Sequence, residues 1–302
     1  MFITDGECRR DKNLTLGKDR SLTHSSLQAV KLGLIGDNIQ QSKSPLLHRA
    51  AGLMTGLGVT YELLIPRDMG LSFDDVFEQA SALGFRGVNI TYPYKEAVAP
   101  KVTVVDPFVR CIGAVNTVVF DVDGPKGFNT DYTGFLHAYH LARGKTPPGV
   151  VCLIGTGGVG KAVAFGLLGL GAQAINCVDL DPVKAANLVD SLVELGSQTR
   201  IAFFDNIAAA VEGADGIINC TPLGMNGIGG SPLPANEMQG AEWVFDAVYT
   251  PADTEFLQNA RLAGLTVISG YQLFIGQGVD AWEIFTGTKV DRVQLTDNIQ
   301  GH

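Results

Sequence analysis

The stretch Val150-Val151-Cys152-Leu153-Ile154-Gly155-Thr156-Gly157-Gly158-Val159-Gly160 decides how this chain is read. An apolar, strand-forming run enters a glycine-rich turn, and small and apolar residues from Lys161 to Gly171 continue it as a helix. Gly155, Gly157 and Gly160 have the G-x-G-x-x-G spacing. That spacing lets the backbone turn sharply, approach a pyrophosphate closely and pack the helix onto the strand. Phosphates then sit at a helix N-terminus, where free N–H groups and the helix dipole favour anions.

A single match to this spacing is weak, since an ordinary glycine turn can produce it. The context strengthens it. A second apolar run, Ala174 to Val178, ends in Asp179, about 20 residues past the glycines, where an acid accepts hydrogen bonds from an adenosine ribose. Leu180 follows, and Asp181 with Pro182 reads as the N-cap and first residue of the next helix. Two carboxylates and no arginine favour NAD over NADP, because the 2′-phosphate of NADP would meet like charge. The candidate cofactor residues here are Gly155, Thr156, Gly157, Gly158, Val159, Gly160, Asp179, Leu180 and Asp181.

The chain has 302 residues, 46% of them hydrophobic, enough to fill two cores. A net charge of -9 without basic clusters argues against nucleic acid or an anionic membrane as partner. An anionic substrate must therefore be held locally, against the overall field. Cysteines 8, 111, 152, 177 and 220 are scattered and mostly lie in apolar runs, which suggests neither a disulfide framework nor a zinc site and points to a reduced, cytoplasmic protein. His137 and His140 share a helical face without a third ligand in view, so no metal is expected. No run is long enough to cross a bilayer, and the first thirty residues lack the apolar core of a signal peptide. Residues 1–29 are expected to form a loose extension.

Strands are expected at Lys31–Gly36, Val59–Ile65, Gly87–Ile90 and Gly113–Phe120, with helices at Pro45–Leu57, Ser72–Leu83 and Thr133 to about Arg143. Beyond the glycine turn, strands are expected at Gly216–Cys220, Trp243–Val248 and Leu265–Ile268, before an apolar helix from Tyr271 to Phe285. Strands alternating with helices give an α/β fold. It comprises an amino-terminal substrate domain with a mixed sheet (30–131, joined by the C-terminal helices 271–302) and a Rossmann-like dinucleotide domain (132–270). Polar residues gather at the carboxyl ends of the first strands, where open α/β sheets bind ligands: Ser42, Ser44, Asn89, Thr91, Lys95, Asn116, Thr117 and Asp131. Taken singly, each has a plainer role. Ser44 and Asp131 can cap helices, Asn116 can satisfy a bulge, and Lys95 can be solvated. Their convergence beside a nucleotide domain is harder to explain that way.

These segments together resemble the shikimate/quinate dehydrogenase family over nearly everything from Leu32 to Gly287. The likeness is carried by Ser42-Lys43-Ser44-Pro45, Asn89-Ile90-Thr91-Tyr92-Pro93-Tyr94-Lys95, Gly113-Ala114-Val115-Asn116-Thr117, Gly127-Phe128-Asn129-Thr130-Asp131, Asn219-Cys220-Thr221-Pro222-Leu223-Gly224-Met225 and Gln277-Gly278. Gln41 stands where the family usually has His. The resemblance implies that Ser42 and Ser44 hold the substrate carboxylate, that Thr91, Asn116, Asp131 and Gln277 hold ring hydroxyls, and that Tyr249 joins them. It implies Lys95 and Asp131 as the catalytic pair, and Thr221, Met225 and Gly270 as further cofactor contacts. Removing a hydroxyl proton while hydride leaves needs a titratable group within hydrogen-bond reach, which suits Lys95 and Asp131. Either of them could take the proton.

Asp179-Leu180 replaces the Asn-Arg of NADP-using biosynthetic members, which resembles the NAD-dependent branch. Ser44 favours shikimate over quinate. The expected activity is NAD-dependent oxidation of shikimate, and of quinate with it. The alternatives are an NADP-dependent enzyme reducing 3-dehydroshikimate and a non-catalytic sensor of these metabolites. Monomer and homodimer are both open.

Overall fold

Two sheets form, and in each the chain reverses its winding direction once. The computed structural model describes residues 29–300. The extension expected over residues 1–29 therefore lies, but for Ala29, outside the described residues. The first part of the chain runs β1 (Ala29–Ile35), α1 (Ser44–Thr55), β2 (Gly58–Leu64), α2 (Pro66–Met69), α3 (Phe73–Ala82), β3 (Gly87–Ile90), α4 (Lys95–Val98), α5 (Pro107–Ile112), β4 (Thr117–Asp121), β5 (Gly124–Phe128) and α6 (Thr130–Arg143). The second runs β6 (Val150–Ile154), α7 (Gly158–Gly169), β7 (Ala174–Val178), α8 (Pro182–Val193), β8 (Arg200–Phe203), α9 (Ile207–Val211), β9 (Gly216–Asn219), β10 (Trp243–Asp246), α10 (Glu255–Leu262) and β11 (Thr266–Ser269). Two last helices, α11 (Gly270–Thr286) and α12 (Arg292–Gln300), close the chain.

The first sheet has the order β2-β1-β3-β4-β5 and is mixed: β1 pairs parallel with β2 and β3, while β4 runs antiparallel to both β3 and β5. The second has the order β11-β10-β9-β6-β7-β8, with every pairing parallel. Winding reverses at β1/β3 in one sheet and at β6/β9 in the other. Loops leaving the carboxyl ends of those strands diverge there and leave a crevice.

Several expected boundaries move for local reasons. The strand expected from Gly113 begins only at Thr117, because Asp106 caps the short helix α5 and Gly113, at φ 64°, ends it. The sequence alone does not predict β5. Its glycines and proline disfavour a strand, but Pro125 needs no ladder donor at the sheet edge. α6 starts at Thr130 rather than Thr133, because Asn129 accepts hydrogen bonds from the N–H groups of Asp131 and Tyr132. Asn129, not Asp131, is thus the cap, and a domain boundary after Asp131 falls inside α6.

α6 and α11 cross backbone to backbone. A Cβ on Gly276 would lie 3.0 Å from Gly134 Cα, and one on Gly134 would lie 2.9 Å from Gln277 N. This close approach is what carries Gln277 to the start of α6. α11 also completes the core over the first sheet: Phe274, Ile275, Val279, Trp282 and Phe285 pack with Leu32, Leu34, Leu47 and Tyr61. Each such side chain, fully buried, contributes roughly 1.5–3 kcal/mol. Buried Cys152 and Cys177 lie on neighbouring strands of the second sheet and point into its two opposite cores. Burial pushes both thiols up to about 12, so they act as small core residues. No described helix is long and apolar enough to cross a membrane.

Candidate active site

At the β1/β3 reversal, the Ser42–Ser44 turn leaves β1 and the Thr91–Lys95 segment leaves β3. Ser42 Oγ donates to Ser44 Oγ at 3.2 Å, so the two hydroxyls point to one spot. Lys43 is the N-cap residue of α1 and makes no side-chain cap; Ser42 Oγ instead accepts from Ser44 N, the first N–H of the helix, at 3.3 Å. Lys95 Nζ lies 2.7 Å from Asp131 Oδ2, and the two side chains are 11% and 6% exposed. A pair so enclosed strengthens its mutual attraction and is held in one geometry. With Asn129 capping α6, the Asp131 carboxylate is left to face the lysine.

Asn116 is buried and spans the start of α6: its Oδ1 accepts from Thr130 N at 2.7 Å, and its Nδ2 donates to Thr130 Oγ1 at 3.0 Å. Thr130 Oγ1 in turn donates to Gln277 Oε1 at 3.4 Å. Tyr249 stacks on Phe274 with ring centroids 4.7 Å apart. Burial raises its phenol pKa; the neighbouring Ser42 hydroxyl opposes that, and the charge of Asp131 adds to it. Ser42, Asp131 and Tyr249 therefore share one neighbourhood, with Asn116 and Gln277 joined to it through Thr130. Thr91 lies at the rim, its methyl over Gly36.

The layer beneath joins Asn89 and Thr117, both named from the sequence, to Tyr61 and His48, which the sequence does not single out. Tyr61 OH donates to Asn89 Oδ1 at 2.8 Å, and Asn89 Nδ2 donates to Thr117 Oγ1 at 3.1 Å. Asn89 is the polar residue of an otherwise apolar, fully buried strand, and a buried amide needs partners. That pattern was the available signal. His48 stacks on Tyr61 at 4.9 Å between centroids, and burial pushes its pKa down to about 3 against the opposing influence of Asn89.

On the other side of the crevice, the turn after β6 has the form its glycines require. Gly155 has φ 94°, and a Cβ on Gly160 would lie 2.0 Å from Gly155 O, so neither position accepts a side chain. Nothing lies within 4 Å of a Cβ placed on Gly157, which leaves space in front of the N-terminus of α7. Thr156 is fully buried; its N and Oγ1 donate to Asp179 Oδ2 at 2.7 and 2.8 Å. Asp179 Oδ1 accepts from Asp181 N at 2.9 Å. Burial works against its ionisation, but these hydrogen bonds outweigh it and hold the carboxyl below its ordinary pKa. Asp179 thus fixes the turn first, and Oδ1 keeps a lone pair for a further donor. Asp181 caps α8 by accepting from Val183 N and Lys184 N, and Leu180 is fully exposed between the two acids.

The loop after β9 faces that turn. Asn219, fully buried, accepts from Thr221 N and Oγ1 and donates to Leu223 O, fixing the segment that carries Thr221 and Met225. Asn219 Nδ2 also donates to Asp246 Oδ1 at 3.0 Å. Asp246 receives Val248 N and the Thr254 hydroxyl as well, at 3.0 and 2.5 Å. Burial pushes its pKa up to about 6, with the hydrogen bonds opposing. Gly270 is crowded by the carbonyls of Asp246, Ala247 and Val248, which leaves no space for a Cβ.

A mixed sheet presenting an enclosed lysine–aspartate pair, opposite a parallel sheet presenting a glycine turn, defines a two-domain α/β oxidoreductase. Residues 34–118 match the family described as shikimate dehydrogenase substrate binding domain. The quinate/shikimate dehydrogenase (NAD(+)) of Corynebacterium efficiens is 36% identical over 276 residues, covering 89% of this chain and 97% of that one. This chain belongs to the shikimate/quinate dehydrogenase family. The shikimate dehydrogenase (NADP(+)) of Pseudarthrobacter chlorophenolicus is 38% identical, covering 87% of this chain and 92% of its own. Among solved structures, quinate dehydrogenase from Corynebacterium glutamicum in complex with NAD has a TM-score of 0.82 at 35% identity, covering 91% of this chain and all (100%) of that one.

Proposed function

We propose that this protein oxidises shikimate, and quinate with it, by reversible NAD-dependent hydride transfer from a ring carbinol. The Lys95–Asp131 pair, 2.7 Å apart and nearly enclosed, carries the reading. The Ser42 and Ser44 hydroxyls receive the substrate carboxylate. Thr91, Asn116, Asp131, Tyr249 and Gln277 hold the ring hydroxyls. Lys95 sits within hydrogen-bond reach of the reacting oxygen and shares its proton with Asp131, stabilising the developing alkoxide. NAD held at the glycine turn would supply the acceptor for the hydride. The open space before α7 suits a pyrophosphate, with Gly155 to Gly160 around it, and the spare Asp179 lone pair suits a ribose hydroxyl. Exposed Leu180 between two acids offers a 2′-phosphate no cation, which supports NAD over NADP.

The first sheet (30–131, with 271–302) serves the substrate and the second (132–270) the cofactor, with α6 shared between them. The protein works in the cytoplasm on small molecules, as a monomer or homodimer. Spectrophotometric assays of shikimate and quinate, each with NAD and NADP, test this. The expected result is the highest kcat/KM for shikimate with NAD, and a higher value with NADP would overturn the cofactor assignment. Lys95→Ala is expected to lower kcat by roughly 10² or more with little change in KM, and near wild-type turnover would remove the lysine from the mechanism.

A further inference from the structure

The first turn of α7 meets the start of α4 at two points. A Cβ on Gly158 would lie 3.2 Å from Lys95 Cδ and 3.3 Å from Lys95 Cβ. Three residues on, Lys161 Nζ lies 2.8 Å from Glu96 Oε2. Residues three apart share one helix face. That face of α7 therefore receives both residues that open α4. α4 is a single turn of 4 residues without a side-chain cap, and outside that turn its Lys95 carbonyl is tied to Val115 N at 2.8 Å. Such a short turn needs outside support to hold its side chains in place.

A pyrophosphate at this turn would meet Gly158 through its backbone N–H, which alanine also supplies, so the cofactor does not explain the missing side chain. Gly155, Gly157 and Gly160 complete the spacing on their own, and Gly158 has helical backbone that any residue adopts. What it supplies is room for the aliphatic stem of Lys95.

We propose that Gly158 and Lys161 are positioning residues for Lys95: the helix that opens the cofactor turn is also the seat of the lysine. Gly158 receives the stem, and the Lys161–Glu96 pair holds α4 against it, so that the Lys95 ammonium meets Asp131. This rests on the reading of Lys95 as the acid–base group. In Gly158→Ala the stem must give by a few tenths of an ångström, and kcat at saturating substrate and NAD is expected to fall about tenfold. The dissociation constant for NAD, read by protein fluorescence, is expected to change less than twofold, and the pH profile of kcat is expected to shift as the Lys95–Asp131 contact loosens. Glu96→Gln and Lys161→Gln are each expected to cost about threefold in kcat, as suits a half-exposed pair, and the double variant no more than either.

Unchanged kcat in Gly158→Ala, or a loss confined to NAD affinity, overturns the proposal. Should that variant fail to fold, the Glu96/Lys161 cycle decides: additive losses, or none, overturn it. Lys95→Ala in parallel keeps the two failures apart. An active Lys95→Ala sinks the functional reading, whereas an inactive one beside a normal Gly158→Ala sinks this inference alone.

Discussion

Beneath its site the substrate sheet buries His48 and the cofactor sheet buries Asp246, and pH pulls on the two in opposite directions. His48 is held neutral: its Nδ1 has no hydrogen-bond partner among the described residues, and its ring stacks on Tyr61. Asp246 is held by three donors, from Asn219, Val248 and Thr254. The substrate side thus supports its charged pair on neutral amides, hydroxyls and rings. The cofactor side supports its loops on an acceptor-only carboxylate that binds several donors at once. A neutral scaffold leaves the local field to Lys95 and Asp131, while a carboxylate scaffold gains donors at the cost of burying acid.

Acid titration of His48 should give the largest effect. Its folded pKa, about 3, lies below the ordinary 6.5, so the stability it contributes is present above pH 6.5 and is lost as pH falls toward 3. The full loss is about 5 kcal/mol. Thermal melts across this range should fall steeply for the wild type and less steeply for His48→Asn; parallel curves would refute the assignment.

Asp246 should act the other way and more weakly. Its folded pKa, about 6, lies above the ordinary 3.8, so its contribution is complete below pH 3.8 and lost as pH rises to 6. The loss is about 3 kcal/mol. The melting temperature of Asp246→Asn relative to wild type should therefore climb from pH 4 to 6 and level off above, and a flat difference would sink the claim.

Gly155→Ala should give the smallest effect. It forces a side chain to φ 94° and to within 2.8 Å of the Cys220 carbonyl carbon. The expected result is a rise in KM for NAD of about tenfold, or 1.4 kcal/mol, with KM for the hydroxy acid unchanged. Equal rises in both would erase the division of labour between the sheets.

The same contrast explains what could be read in the sequence. The cofactor turn is contiguous and built from backbone, so Gly155, Gly160 and the Asp181-Pro182 cap announce themselves through local steric needs. The substrate side assembles from residues far apart in the chain. Nothing local to Gln277 says that Gly134 and Gly276 will touch and bring it beside Thr130. Asn116 reads in sequence as part of a strand, yet it ties down a helix start, because α5 and its closing Gly113 delay β4 to Thr117. Asp131 reads in sequence as a cap, a task that falls to Asn129 two residues earlier. The family resemblance supplied these positions without supplying the contacts beneath them, such as Tyr61 with Asn89 or Asn219 with Asp246.

α11 and α12 also bear on how the molecule is made. The core over β1 and β2 includes Trp282, Phe285, Leu295 and Ile299. The half that leaves the ribosome first therefore lacks part of its own interior until α11 and α12 emerge, while the half made later holds a complete parallel sheet by Ser269. Nascent chains stopped before Gly270 would carry a folded cofactor unit joined to an unfinished, exposed apolar surface of the kind that chaperones bind.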